Sequence, residues 1–173
     1  MKRGMIHQAS DISIRHARIE DAEDLARMAA DLNRHVGLGE PGYGTEELAQ
    51  YGFGDRPAYQ ALIAETVGRT VGYAIFCDMF NTDYGRPGLW LCDLYVDESH
   101  RGSGLGKRLI QAVARIGRNS GKASVWWTVV AEDKQAMTFY ERLGARGYPD
   151  VRYFEMDGDA MMRAADAGED VSE

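Results

Sequence analysis

A mixed α/β fold, one sheet with helices on both faces, is what this sequence predicts, and three observations carry the prediction. Runs rich in β-branched and aromatic residues alternate with segments of helical spacing, in the order β-α-α-β-β-β-α-β-α-β. The 173 residues, 45% apolar and 27% charged with only 4 Pro, suit a compact globule rather than a disordered or fibrous chain. No linker or internal repeat divides the patterns, so they read as one layered unit.

Ile12, Ile14 and then Ala17 or Ile19 alternate with polar residues, which predicts a first strand near 12–18. Asp21 can cap a helix whose apolar stripe is Leu25, Met28, Leu32 and Val36, and the Gly-rich stretch at 37–44 ends it. Thr45 is positioned to cap a short second helix. A hairpin follows: strand Tyr59–Glu65, a turn at Val67-Gly68-Arg69, and strand Thr70–Phe80. The run LWLCDLYV is dense in residues that pack well in sheets. Leu105, Leu109, Ala112 or Val113 and Ile116 recur at helical spacing. SVWWTVV, residues 124–130, is expected as a buried strand, followed by a helix that Asp133 caps, with Ala136, Phe139 or Tyr140 and Leu143 inward. YPDVRYFEMDG is expected as a final strand, and DAMMRAA as a terminal turn.

Charge and composition exclude several functions. With 20 Lys+Arg against 27 Asp+Glu, the net charge of −7 disfavours a general nucleic-acid binder. No run approaches 18 apolar residues, and the N-terminus has no apolar signal segment, so no membrane role is expected. Residues 1–11 are expected to be a flexible N-terminus and 166–173 an acidic disordered tail. Cys77 and Cys92 are too few and too widely spaced for a disulfide scaffold or a zinc site, and a reducing cytoplasm is the simplest setting. The four histidines lack metal-ligand spacing, so no metal is expected.

The sharpest signal is the strand-turn-helix segment from Val96 to Lys107, whose turn carries Gly102, Gly104 and Gly106. Unpaired N–H groups in the first turn of a helix bind anions, and glycines let that backbone approach a pyrophosphate. From Ser99 to Ala131 there are six basic residues and no Asp or Glu, a field suited to an anionic ligand. The segment matches neither a Walker A loop nor the full dinucleotide fingerprint. From the glycines alone, a flexible turn leading into a solvated basic helix fits equally well.

Arg101-Gly102-Ser103-Gly104-Leu105-Gly106 resembles the R/Q-x-x-G-x-G/A acyl-CoA motif of the GCN5-related N-acetyltransferase (GNAT) superfamily. Ala136-Met137-Thr138-Phe139-Tyr140-Glu141-Arg142-Leu143-Gly144-Ala145 resembles its AxxFYxxxGF-type helix, with Ala145 where Phe is commoner. The likeness covers residues 12–165 and implies one acyl-CoA N-acyltransferase domain. The implied fold is a strongly twisted central sheet with a splay between two central parallel strands. GRPGLWLCDLYV further resembles a segment of the diamine (spermidine/spermine) and thialysine acetyltransferases, with Cys92 where those enzymes have Glu.

The resemblance implies direct transfer of an acetyl group from acetyl-CoA to a primary amine, without a metal. Leu94, Tyr95 and Val96, the turn residues Arg101, Gly102, Ser103, Gly104, Leu105, Gly106 and Lys107, and then Asp133, Ala136 and Tyr140 are the implied cofactor contacts. Tyr140 is implied as the acid that protonates the departing thiolate; by periodicity alone it reads as a core partner of Phe139. Asp93, a carboxylate in an apolar run, is implied as the group that binds the amine and helps deprotonate it. Asp78, Tyr84, Trp90 and Cys92 are expected to complete an acidic, aromatic-walled acceptor site. The expected acceptor is a small cationic amine with fewer charges than spermine: a diamine, an amino-acid side chain or an amine-bearing antibiotic. Alternative readings are acetylation of protein N-termini or lysines, and a non-catalytic acyl-CoA-binding regulatory module. The same branch implies a homodimer that pairs C-terminal strands.

Overall fold

The computed structural model describes residues 12–168. The expected flexible N-terminus, 1–11, and residues 169–173 of the expected tail lie outside them. The chain divides into two compact units, Met1–Ala136 and Met137–Glu173, each described by itself.

The first unit is a five-stranded sheet in the order β1-β2-β3-β4-β5. Its strands are β1 (Ser13–His16), β2 (Gln60–Thr66), β3 (Arg69–Asn81), β4 (Arg86–Val96) and β5 (Val125–Trp126). The first three pairings are antiparallel and β4·β5 is parallel. Helices α1 (Ala22–Val36) and α2 (Thr45–Gly52) lie in sequence between β1 and β2, and α3 (Leu105–Asn119) connects β4 to β5. A parallel neighbour needs such a crossover, which a tight turn cannot supply.

The sheet buries both faces. Ala22, Leu25, Met28 and Ala29 of α1 and Leu48 of α2 join Ile63, Tyr73, Ile75 and Tyr95 in one core cluster. Leu105, Leu109 and Val113 of α3 join Leu62, Ala74, Phe76, Leu89 and Leu91 in the other. Of the expected stripes, Leu25, Met28, Leu105, Leu109 and Val113 are buried, Leu32 and Ile116 pack partly buried against the clusters, and Val36 belongs to neither. Gly117 keeps α3 close to the sheet: a Cβ there would sit 3.1 Å from a Leu89 methyl.

Local chemistry differs from the expected caps in two places. Asp21 does not cap α1; its carboxylate accepts from the Arg18 backbone at 2.6 Å and takes both terminal nitrogens of Arg15. Thr45 is the first residue of α2 rather than its cap; Gly44 precedes it, and Glu47 reaches back to the Gly44 N–H at 2.8 Å. Asp133 behaves as expected and accepts from the Ala136 N–H at 2.8 Å.

The expected buried strand at 124–130 reduces to Val125 and Trp126, both half-buried. These pair only with Leu89 and Trp90. Beyond Trp90, β4 continues for six residues along β3 while β5 has ended, so the parallel pair parts there.

Helix α4 (Lys134–Arg142) runs from the first unit into the second, which continues through Gly144 (φ 86°) to α5 (Gly158–Asp166). Phe139 and Tyr140 have ring centroids 5.1 Å apart, and both residues are half-buried. Asp157 caps α5 through the Ala160 N–H at 2.7 Å. Asp166, expected to open the tail, is the last residue of this helix. The strand expected from YPDVRYFEMDG is absent among the described residues, and Tyr153 and Phe154 are 71% and 85% exposed. Aromatic composition favours a strand only where a ladder partner exists.

Candidate active site

Two features of the first unit carry chemistry, and both belong to β4 and its continuation. The first is a β-bulge. Phe76 pairs with Leu91 and Ile75 with Asp93, so Cys92 is the extra residue of β4. A bulge bends the strand and re-aims the side chains beside it. Here it turns Asp93 towards the α1–α2 face, opposite Ile75 of that core cluster.

Asp93 is half-buried and forms no ion pair among the described residues. Its Oδ2 accepts instead from two phenols, the fully buried Tyr73 at 3.1 Å and Tyr43 at 3.4 Å. Loss of water pushes the Asp93 carboxyl above the usual range, and the two hydroxyls only partly oppose this. Burial and the facing carboxylate push both tyrosines upward in turn, so their protons stay in place at neutral pH. Tyr59, which donates to the Leu48 carbonyl at 2.6 Å, is pushed up to about 12 by burial. Tyr43 has no signal in the sequence: it sits in the glycine-rich connection of α1 to α2, fifty residues from Asp93.

Trp90, half-buried, pairs with Cys77 of β3, and strand alternation puts both on the face of Asp93. Loss of water on its protein side, the neighbouring Cys77 thiol and the Asp93 carboxylate together push the Cys92 thiol up to about 12. A thiol held neutral in this way is a poor nucleophile. Asp78 is not brought to this cluster. It pairs with Leu89 on the α3 face, and Lys122 Nζ lies 2.8 Å from its carboxylate. Tyr84 is exposed in the β3–β4 connection, where its N–H donates to the Asn81 side chain.

The second feature follows β4. Leu94, Tyr95 and Val96 pair with β3 on one side, beyond the reach of β5 on the other. A 3-10 turn, Glu98–His100, is held by Asp97, whose Oδ1 accepts from the Ser99 N–H and hydroxyl. Gly102 (φ 73°) and Gly104 (φ 85°) then take left-handed conformations, and no protein atom lies within 4 Å of where their Cβ atoms would be. Strain, not crowding by the protein, explains glycine there, and the space above the turn stays open. Arg108 N–H donates to the Gly104 carbonyl, which leaves the N–H groups of Leu105, Gly106 and Lys107 outside the helical ladder. Ser103 Oγ is turned to the His100 carbonyl at 2.6 Å, and the first turn of α3 contains no acid.

A helix start of this kind, with free amides and no acid, suits an anionic group. The Arg101 side chain contributes differently: its Nε donates to the Val96 carbonyl, its guanidinium lies 5.7 Å from the Tyr95 ring centroid, and one terminal nitrogen is 3.2 Å from His35. It ties the turn to β4 and α1. Arg108 donates to the Ile12 carbonyl, whereas Lys107 is exposed on the first turn. Two open depressions, one around the β2–β3 turn and one at the C-terminal end of α3, contain neither Asp93 nor the glycine turn.

The parallel strand pair thus parts beside a helix start whose first amides lie outside the ladder, with the Asp93 carboxylate in the same strand. The chain belongs to the acetyltransferase (GNAT) family, whose description matches residues 25–145. It is an acetyl-CoA-dependent N-acetyltransferase that acts on amines. It is similar to the thialysine N-epsilon-acetyltransferases of Mus musculus and Bos taurus. The identities are 31% over 88% of this chain and 96% of the mouse protein, and 30% over 89% and 97% for the bovine one. Among solved structures, an integron cassette protein from the mobile metagenome of V. cholerae shares the fold. Its TM-score is 0.74 at 23% identity, over 90% of this chain and 98% of that one. No helix among the described residues is long and apolar enough to cross a membrane.

Proposed function

We propose that the enzyme transfers an acetyl group directly from acetyl-CoA to the primary amine of a small cationic substrate. The observation that carries this reading is Asp93: a partly desolvated carboxylate with two phenol donors and no cation of its own. Such a group attracts an ammonium ion and can receive its proton. In this reading the Asp93 carboxylate holds the amine, and the proton leaves to that carboxylate or to a water beside it. Acetyl-CoA supplies the activated thioester. The amides of Gly102 to Lys107 hold its pyrophosphate, and the edge of Leu94 to Val96, which β5 does not reach, receives its amide-bearing arm. Tyr140 holds at its hydroxyl the proton that the leaving group needs, a role assigned by its place in the second motif on α4.

The acceptor carries fewer charges than spermine. Two facts support this: Cys92 stands where the resembling enzymes have Glu, and Asp78 is already neutralised by Lys122 on the other face. The resemblance to the thialysine-acetylating branch adds an amino-acid side chain to the first substrates to try, with diamines and amine-bearing antibiotics beside it. The free thiols Cys77 and Cys92 suit the reducing cytoplasm. The enzyme acts as a homodimer, a reading supported by the exposed Val151, Tyr153, Phe154 and Met156 of the second unit. Light scattering that returns the monomer mass at micromolar concentration would reject it.

The test of function is a panel of amines assayed with acetyl-CoA, preceded by calorimetry with acetyl-CoA alone. Turnover of a singly or doubly charged amine, with spermine poor, is the expected result. Absence of acetyl-CoA binding at tens of micromolar by folded protein would overturn the donor assignment.

A further inference from the structure

We infer that Tyr43, carried by the glycine-rich connection between α1 and α2, is a positioning residue that keeps the Asp93 carboxylate charged and aimed at the incoming amine. The inference rests on the reading of Asp93 as the acceptor-site carboxylate and deepens it.

Three observations carry it. Tyr43 Oη lies 3.4 Å from the same Oδ2 that the buried Tyr73 holds at 3.1 Å, so one carboxylate oxygen is shared by two donors. The two phenols differ in burial. Tyr73 is fully buried within β3, whereas Tyr43 is 39% exposed and stands outside any helix or strand, between Gly42 and Gly44. The connection starts at Gly37, whose φ of 78° ends α1, and it contains glycines at 39, 42 and 44 as well. Tyr73 thus donates from within a buried strand and Tyr43 from a glycine-rich loop. Tyr43 gives the carboxylate its second hydrogen bond and covers it on the side of the connection.

The groups that face Asp93 come from each element around it. Tyr73 lies on β3, Tyr43 on the α1–α2 connection and Cys92 beside it on β4. Cys77 of β3 acts through Cys92, Tyr59 neighbours Tyr43, and Tyr95 neighbours Tyr73. The Cys92 thiol and the phenols of Tyr43, Tyr59, Tyr73 and Tyr95 are pushed upward and stay neutral at neutral pH, and among the described residues no basic side chain pairs with Asp93. The two hydroxyls therefore supply a partial stabilisation of the carboxylate's charge against its loss of water. Removing one lets the carboxyl take up a proton at higher pH. A full bond to a charged group corresponds to roughly one to two pH units. At 3.4 Å the Tyr43 bond is long, and the shift it controls is on the order of half a unit.

The experiment compares wild type, Tyr43→Phe and Asp93→Asn with one good amine, measuring kcat/KM for the amine from pH 5 to 9 and the KM for acetyl-CoA. The expected result for Tyr43→Phe is an acidic limb displaced upward by on the order of half a pH unit. Acetyl-CoA KM and melting temperature should hold, since the residue is exposed and far in sequence from the glycine turn. Asp93→Asn should remove that limb. If Asp93→Asn removes the limb and Tyr43→Phe leaves it in place, the role of Tyr43 is overturned while the acceptor assignment stands. If Asp93→Asn leaves rate and limb unchanged, the acceptor assignment fails and the inference falls with it.

Discussion

Tyr73 donates its hydroxyl to Asp93 from a site with no solvent exposure, 3.1 Å away across the β3–β4 ladder. The contact satisfies the phenol but does not compensate the carboxylate, whose proton affinity stays above the ordinary value because water is lost around it. Between the ordinary carboxylate value and the raised one, the folded chain binds more protons than the unfolded chain. Stability from this group therefore declines as pH rises through that window. Asp93→Asn should raise the melting temperature at pH 7 while amine turnover falls. Thermal denaturation beside an activity assay decides it. A less stable and fully active variant would remove Asp93 from the site.

Asp21 has the opposite sign. Burial works against its charge, but the paired nitrogens of Arg15 and the Arg18 N–H win and hold its carboxyl below the usual range. That contribution is complete above the ordinary carboxylate value and is lost as pH falls through the folded one. Asp21→Ala leaves Arg15 with the Glu65 carboxylate and the His16 carbonyl and should cost about 2 kcal/mol at pH 7, shrinking in acid. Urea denaturation at pH 7 and pH 3 would show the difference. An equal cost at both would point to packing rather than charge.

The turn before α3 makes a separable claim. Gly104 at φ 85° faces open space, so alanine there costs about 1 kcal/mol of backbone strain without a protein clash. The added methyl would stand where the cradled anion approaches the amides. Gly104→Ala should remain folded and lose acetyl-CoA affinity by about tenfold or more in calorimetry, with the amine KM little changed. Unaltered affinity would move the cofactor away from this turn.

How far the sequence reached follows from what each element depends on. α1 and α3 were legible because their buried residues recur at helical spacing within one segment. Asp93 was legible because a carboxylate inside LWLCDLYV contradicts its surroundings. Tyr43 was not, because its meaning comes from a partner fifty residues away and no periodicity marks it. The bulge at Cys92 was equally hidden: register belongs to two strands, and one strand's sequence holds only half of it. Asp78 looked like a second acceptor carboxylate until strand alternation put it on the α3 face. The aromatic run at 148–157 failed for the same reason as the bulge, since a strand is a property of a ladder.

Tyr140 and Cys92 distinguish two chemical routes. Direct transfer needs the Tyr140 proton and no thiol, and Cys92, pushed up to about 12, is nearly all protonated at neutral pH. Tyr140→Phe should lower kcat by roughly 10²-fold with acetyl-CoA affinity maintained. Cys92→Ser should keep most of the turnover. An acetylated Cys92 peptide, trapped before amine is added and detected by mass spectrometry, would reverse the assignment in favour of a covalent intermediate.

The charge of the acceptor can be read from Asp78. Lys122 Nζ sits 2.8 Å from its carboxylate, on a side chain only 13% exposed, so the lysine end of this pair is the costlier one to leave unpaired. The Asp78 side chain is 65% exposed, and a pair with so wet a partner adds little stability. Asp78→Asn should leave the fold within about 1 kcal/mol of wild type and the amine KM within about twofold. Asp93→Asn should raise that KM for every amine. The contrast is sharpest with a diamine, whose second ammonium would seek any further carboxylate in reach. If Asp78→Asn raises the KM of a diamine and not that of a monoamine, the second charge is read at Asp78 after all. The acceptor would then be a polyamine-like dication rather than a substrate bound through Asp93 alone.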